Sequence, residues 1–116
     1  MGKPRTVECR FFIPVRRDAE ISDGKTHSTV SWSWLKDKLI EYFDGGSGDK
    51  SLWEGFWRSK TGKVITDDSR LFLIALPANQ VGVLRLLLAQ ACEEFQQQTI
   101  YLSVGGYVEF IEPDRE

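Results

Sequence analysis

The chain has 116 residues, a length that fits one domain at positions 1–116 with a single hydrophobic core. Its 15 basic and 17 acidic side chains nearly cancel, so charge indicates neither nucleic acid nor an anionic membrane as a partner. No apolar run reaches transmembrane length, and the polar start at residues 1–5 lacks the apolar segment of a signal peptide. We therefore expect a cytoplasmic, bacterial type of protein.

The first element is a strand over residues 6–15, because its apolar and polar side chains alternate with a period of two. Pro14 withholds a backbone donor and ends the pairing. Residues 16–29 then form a polar loop that carries His27, the one histidine of the chain. Loops of this length are uncommon in compact domains and often functional, so this loop is a candidate location for a site.

A helix is predicted to begin near Trp34, with Ser31 or Ser33 as its N-terminal cap, because its apolar residues fall on one side. It ends at the glycine-rich residues 44–49. Phosphate-binding glycine loops stand before a helix, whereas these glycines follow one. They are therefore interpreted as a C-terminal cap.

The aromatic-rich residues 52–58, a turn at 59–62 and a second arm at 63–76 predict a β-hairpin. Gly55 indicates a bulge or a close approach of another backbone. The polar residues 67–70 predict an interruption of the second arm. The unbroken apolar run at 71–76 is typical of a strand that is covered on both faces.

A second helix is predicted over residues 81–98, with Asn79 as its N-terminal cap. Two β-rich runs follow, at 100–104 and 107–111, separated by Gly105-Gly106. The pair of glycines favours a tight hairpin, and the alternative is one long strand with a glycine bulge. Residues 113–116 are predicted to be a frayed tail.

This order of elements predicts an α+β fold of the ferredoxin-like βαββαβ type, an antiparallel sheet with two helices on one face and an extra strand at the C-terminus. The second face of such a sheet is left to water or to a partner. If Trp53, Trp57 and Tyr101 lie on that open face, they form an apolar patch that favours a dimer or a ligand.

Several short motifs resemble a family of small bacterial domains of unknown function. They are the segment from Gly55-Phe56-Trp57-Arg58 to Gly62, the run Asp68-Ser69-Arg70-Leu71, and the stretch from Phe95-Gln96-Gln97 to Ile100-Tyr101. The resemblance covers about two thirds of the chain. It implies a ferredoxin-like fold, and it implies no activity and no functional residues.

No catalytic set is legible, because His27 stands alone and a triad can be assembled around any single histidine. Cys9 and Cys92 lie in apolar patterns that indicate packing, and the scattered cysteines and histidine predict no metal site and no cofactor. If the predicted hairpin brings Asp67, Asp68 and Glu54 together, they could bind a hard cation, but carboxylates at a turn or bulge are more often solvated.

A second set of polar and aromatic residues lies on the predicted strands or their rims, where a rigid backbone would hold a ligand site. The candidate ligand-binding residues are Arg10, Glu54, Trp57, Arg58, Asp68 and Tyr101. Glu109 belongs to the same polar group. The alternative is that the charged members form exposed cross-strand ion pairs of small energetic value.

The expected function is accordingly that of a non-enzymatic binding or assembly module. We expect it to form a homodimer through the open face or an edge strand, and another protein is a further expected partner. The alternative is a small enzyme with a pocket on the open face. For stability, Leu73 and Leu88 are both predicted to be buried, so that alanine at either costs about 2–5 kcal/mol. His27→Ala is expected to cost almost nothing if its loop is solvated.

Overall fold

The structure, a computed structural model, describes residues 5–114. The start of the chain at residues 1–4 and the last two residues of the predicted tail lie outside this range. Seven main elements follow one another: β1 (Thr6–Pro14), α1 (Thr29–Phe43), β2 (Ser47–Arg58), β3 (Val64–Pro77), α2 (Val81–Glu94), β4 (Ile100–Val104) and β5 (Tyr107–Ile111). A short 3₁₀ turn, Ala78–Gln80, leads into α2.

The strands form one five-stranded sheet in the order β2-β3-β1-β4-β5, and every neighbouring pair is antiparallel. The predicted α+β class, the antiparallel sheet with two helices and the extra C-terminal strand are confirmed. With β5 at one edge, the strand order differs from that of a plain four-stranded ferredoxin-like sheet.

The side chains of the central strand β1 alternate between the two faces of the sheet. Its residues Cys9, Phe11 and Ile13 are fully buried beneath the helices, and the residues between them point to the other face. The core continues into the two helices through Leu35 of α1 and Leu88 of α2. Both helices therefore share one core on one side, as burial of a half-apolar strand requires.

The apolar run in β3 was expected to be covered on both faces, and this is wrong. Phe72, Ile74 and Leu76 are buried, whereas Leu73 is 37% exposed and faces away from the helices. Since the residues of a strand alternate between faces, half of an unbroken apolar run must lie on the uncovered side. The run therefore makes the open face apolar, and it does not mark a second covering layer.

The helix ends differ from the predicted caps. Helix α1 begins at Thr29 after Ser28, whose side chain makes no capping hydrogen bond. Its C-terminal cap is Asp44, in the left-handed conformation at φ 63°, and its backbone amide donates to Ile40. The 3₁₀ turn displaces the cap of α2 from Asn79 to Gln80. At these helix ends, backbone hydrogen bonds in the terminal turns therefore take the place of side-chain capping hydrogen bonds.

Both predicted hairpins are present. The bulge in the first lies between Asp49 and Leu52 and not at Gly55, which pairs with Asp67, and β3 runs through residues 67–70 without interruption. The second turns at Gly105 and Gly106, both with positive φ, the conformation that a tight hairpin turn favours. The distal parts of β2 and β3, residues 52–58 and 64–69, form a mostly exposed two-stranded arm, hereafter the β2–β3 arm.

The long segment between β1 and α1 is attached to the body of the protein at several points. Arg16 pairs with Thr26 in an isolated β-bridge, and the buried Gln97 side chain donates to the Arg16 carbonyl oxygen at 2.7 Å. The Asp18 amide donates to the Gln96 carbonyl at 2.9 Å. These bonds fix the loop against the end of α2, and His27 is buried within it, so the condition for a negligible cost of His27→Ala is not met.

Alanine substitutions at Leu88, Leu73 and His27 should therefore rank differently from the sequence-based expectation. Leu88→Ala empties a fully buried position and should cost about 2–5 kcal/mol. Leu73→Ala removes a partly exposed side chain and should cost less than about 1.5 kcal/mol. His27→Ala should cost about 1–3 kcal/mol, because it removes a hydrogen bond and aromatic contacts. Urea denaturation measures the free energy of unfolding of all three variants. Equal losses for Leu73→Ala and Leu88→Ala would contradict the placement of Leu88 in the core and of Leu73 on the open face.

Candidate functional site

The open face of the sheet carries aromatic and polar side chains in two adjacent cross-strand rows. Phe12 of β1 lies between Leu71 of β3 and Tyr101 of β4, and Tyr101 pairs in turn with Phe110 of β5. Two residues back along β1, Arg10 stands opposite Leu73 and Ser103. Since directly paired residues project to the same side, each row is a continuous surface.

The aromatic rings of the first row contact one another and a tryptophan of β2. Phe12 lies edge-on to Trp53 at a centroid distance of 6.0 Å and to Tyr101 at 5.3 Å. Tyr101 meets Phe110 in the same manner at 5.9 Å. Such edge-to-face pairs are mutually stabilising and hold the rings in place. They form an ordered aromatic floor on the side of the sheet that no helix covers.

A depression of about 490 Å³ opens above this floor. Its apolar end is formed by the aromatic row, and its polar end by β1 and the turn between β4 and β5. The lining residues are Glu8, Arg10, Phe12, Trp53, Leu71, Tyr101, Ser103, Gly105 and Gly106. The volume is within the range of small-molecule sites, which are mostly apolar with a few placed polar groups.

The polar end contains an ion pair. Arg10 uses both Nε and Nη2 to contact one oxygen of Glu8, Oε1, at 2.9 Å in each case. Both side chains remain more than half exposed, at 57% and 52%. An exposed pair of this kind adds little to stability. Its groups therefore remain available to a ligand at small energetic cost.

The structure brings together only some of the candidate residues from the sequence. Arg10 and Tyr101 both line the depression. Trp57 pairs with Ile65 in the β2–β3 arm, outside the lining. The remaining candidates are also in the arm. Their contacts are the pairing of Glu54 with Asp68 across the strands and the hydrogen bond from Arg58 to the Gly62 carbonyl oxygen at 2.9 Å.

Several lining residues are not among the sequence-based candidates, including Glu8, Phe12 and Ser103. The alternation of β1 was a usable signal for two of these, because it places Glu8 and Phe12 on the same face as Arg10. No comparable signal existed for Ser103. Its position beside Arg10 depends on the register between two strands that are distant in the sequence.

His27, which lies in the long loop between β1 and α1, is buried on the helix side. Its Nε2 donates to the Pro14 carbonyl oxygen at 2.7 Å, and its ring lies against Phe95 and Trp32 at 4.9 and 5.5 Å. Burial lowers the pKa of His27 below its usual value of 6.5, so the ring is neutral at pH 7. The residue anchors the loop and does not face the depression.

The two cysteines and the carboxylates Glu54, Asp67 and Asp68 also lie outside this site. Cys9 and Cys92 are free and buried, and burial raises the pKa of Cys92 to about 12, which keeps it a thiol. Among residues 5–114, no group of three or more His, Cys, Asp or Glu side chains is arranged to hold a metal ion. In the same range, no helix is long and apolar enough to cross a membrane.

Comparisons with known proteins add to this picture. No family model and no curated protein sequence matches the chain. Two solved structures match its fold: a phage SAM lyase in complex with S-methyl-5'-thioadenosine, at a TM-score of 0.66, and a phage SAM lyase in the apo state, at 0.68. Each is 16% identical in sequence, and the alignments cover 100% of this chain and 98% and 95% of those chains.

These similarities concern the fold, and they extend from one end of the chain to the other. Both solved structures are of an enzyme. This contradicts the sequence-based expectation of a non-enzymatic binding or assembly module. It favours the alternative, a small enzyme with a pocket on the open face of the sheet, and the depression over the aromatic floor lies on that face.

The buried His27 predicts a loss of stability in acid. Its folded-state pKa is below the unfolded value of 6.5, so the unfolded chain binds the proton first as the pH falls. The contribution of His27 to the free energy of unfolding is therefore fully present above pH 6.5, and it declines as the pH falls below 6.5. Urea denaturation from above pH 6.5 down to about pH 5 should show a steeper decline for the natural protein than for His27→Gln. Parallel declines would contradict a buried neutral histidine.

Proposed function

We propose that this protein is a lyase that cleaves SAM and releases S-methyl-5'-thioadenosine. The observation that carries the proposal is the depression over an ordered aromatic floor, in a chain whose fold matches that of a phage SAM lyase along its whole length. The bound S-methyl-5'-thioadenosine in one of those structures indicates the kind of ligand, a nucleoside with a thioether.

The chemistry of the substrate makes few demands on the protein. SAM is a sulfonium cation, and breaking the bond between sulfur and the γ-carbon of its amino-acid chain returns the electron pair to sulfur as a neutral thioether. The substrate's own carboxylate can supply the new electron pair to that carbon and close a five-membered lactone. Atoms and charge balance without water or a cofactor, so positioning and exclusion of water are the protein's main contributions.

The residues of the depression suit these two tasks. Phe12, Trp53 and Tyr101 offer ring faces and edges for the adenine base, and stacking of a base on an aromatic side chain is worth about 1–3 kcal/mol. Aromatic rings also attract cations, which favours the sulfonium over the neutral product. Leu71 extends the apolar floor beside Phe12.

We also infer that β1, α1, β2, β3, α2 and β4 form a ferredoxin-like unit to which β5 is added. The position of β1 between β3 and β4, with both helices packed on one face, supports this description. The added strand matters for the site, because β5 places Phe110 against Tyr101 and creates the Gly105-Gly106 turn at the rim of the depression.

An assay of SAM cleavage tests the proposed function. Purified protein incubated with SAM should release S-methyl-5'-thioadenosine, detected by liquid chromatography. Trp53→Ala and Tyr101→Ala should each lower kcat/KM about tenfold to a hundredfold, since each removes a ring from the floor. Tyr107→Ala is the matched control, because Tyr107 is an exposed aromatic residue outside the lining. No release of S-methyl-5'-thioadenosine above a protein-free control would refute the proposal.

Self-association is a separate proposal about partners, supported by the β2–β3 arm. The arm ends in an edge strand and exposes Phe56, Trp57 and Val64, with Phe56 72% accessible. Apolar side chains of this size on an edge favour contact with a second copy of the chain.

Size-exclusion chromatography with light scattering, at tens of micromolar protein, should give twice the chain mass of 13.3 kDa. Phe56→Glu should reduce the mass to that of one chain, and a natural protein already at 13.3 kDa would contradict self-association.

A further inference from the structure

The ion pair at the polar end of the depression has unused hydrogen-bonding groups of both charges. Arg10 directs Nε and Nη2 to Oε1 of Glu8. Within residues 5–114, Nη1 of Arg10 and Oε2 of Glu8 have no hydrogen-bond partner in the structure. The pair therefore presents guanidinium donors beside a carboxylate acceptor, and both residues line the depression.

A zwitterionic α-amino acid has the complementary pattern. Its ammonium group donates to a carboxylate, and its carboxylate accepts from a guanidinium, with the two groups attached to one carbon. Hydrogen bonds that involve charged partners are about twice as strong as neutral ones. A ligand of this kind can bind both side chains while the contact between Glu8 and Arg10 is kept.

The separation of the pair from the aromatic floor points to the same class of ligand. Residues two apart on a strand are about 7 Å apart, so Glu8 lies about 13 Å from Phe12 along β1. Arg10 and its neighbour Ser103 lie between them. The depression thus has an aromatic end and a zwitterion-compatible end, as a ligand with a base at one end and an amino acid at the other requires.

We infer that Glu8 and Arg10 form the subsite for the amino-acid end of the substrate, and that this subsite selects SAM over its nucleoside product. The inference rests on the proposed function and deepens it. S-Methyl-5'-thioadenosine lacks the amino-acid group and gains nothing from Glu8 or Arg10. Contact of Arg10 with one carboxylate oxygen leaves the other oxygen free for ring closure. Loss of the amino-acid group on cleavage ends the attraction at this end and aids release of the nucleoside.

Isothermal titration calorimetry with two probes tests the subsite. S-Adenosylhomocysteine has the amino-acid end and no sulfonium, so it is not cleaved, and S-methyl-5'-thioadenosine has the nucleoside alone. Arg10→Ala and Glu8→Gln should weaken binding of S-adenosylhomocysteine at least about tenfold. Both should leave the affinity for S-methyl-5'-thioadenosine within about twofold of that of the natural protein.

Arg85→Ala is the matched control, because Arg85 forms an exposed ion pair with Glu109 outside the depression. It should change neither affinity. Equal weakening of both probes by Arg10→Ala, or no change with either, would overturn the subsite even in a protein that cleaves SAM. A natural protein that binds neither probe and cleaves no SAM would instead overturn the proposed function, and the subsite with it.

Discussion

One-sided burial of the central strand β1 is the constraint on which the rest of the structure depends. Cys9, Phe11 and Ile13 must be covered, and both helices cover them from the same side. Strand geometry then sends Glu8, Arg10 and Phe12 to the opposite side. The candidate site is thus a direct consequence of how the core is formed, because buried core residues and residues that line the depression alternate along β1.

The two sides of the sheet consequently have different roles. On the helix side, His27 and Gln97 satisfy backbone oxygens and fix the long loop, which leaves that side closed. On the open side, a backbone ladder supports the side chains, with β1 bonded to a neighbour along each edge. Side chains held on adjacent strands lose little further freedom when a ligand binds, and such preorganisation favours both affinity and catalysis.

The proposed lyase activity would not depend on a catalytic set such as a Ser-His-Asp triad. A reaction that separates a sulfonium leaving group needs orientation and a dry surface more than a strong base or a nucleophile. The aromatic floor around Phe12 and Tyr101 is an ordered apolar surface of the kind that the proposed reaction would use. This explains why the absence of a legible triad led the sequence-based interpretation towards a non-enzymatic module, and why that inference was wrong.

The sequence by itself determined the local elements. Period-two alternation marked β1, apolar stripes marked the helices, and Gly105-Gly106 marked the last hairpin, because each depends on side chains close together in the chain. The resemblance to small bacterial domains stays a prediction. Only the tertiary structure decided which half of the apolar run in β3 is covered, that His27 is buried, and that Trp53, Arg10 and Ser103 line one depression. Those facts depend on strand order and register between distant segments, which no local pattern specifies.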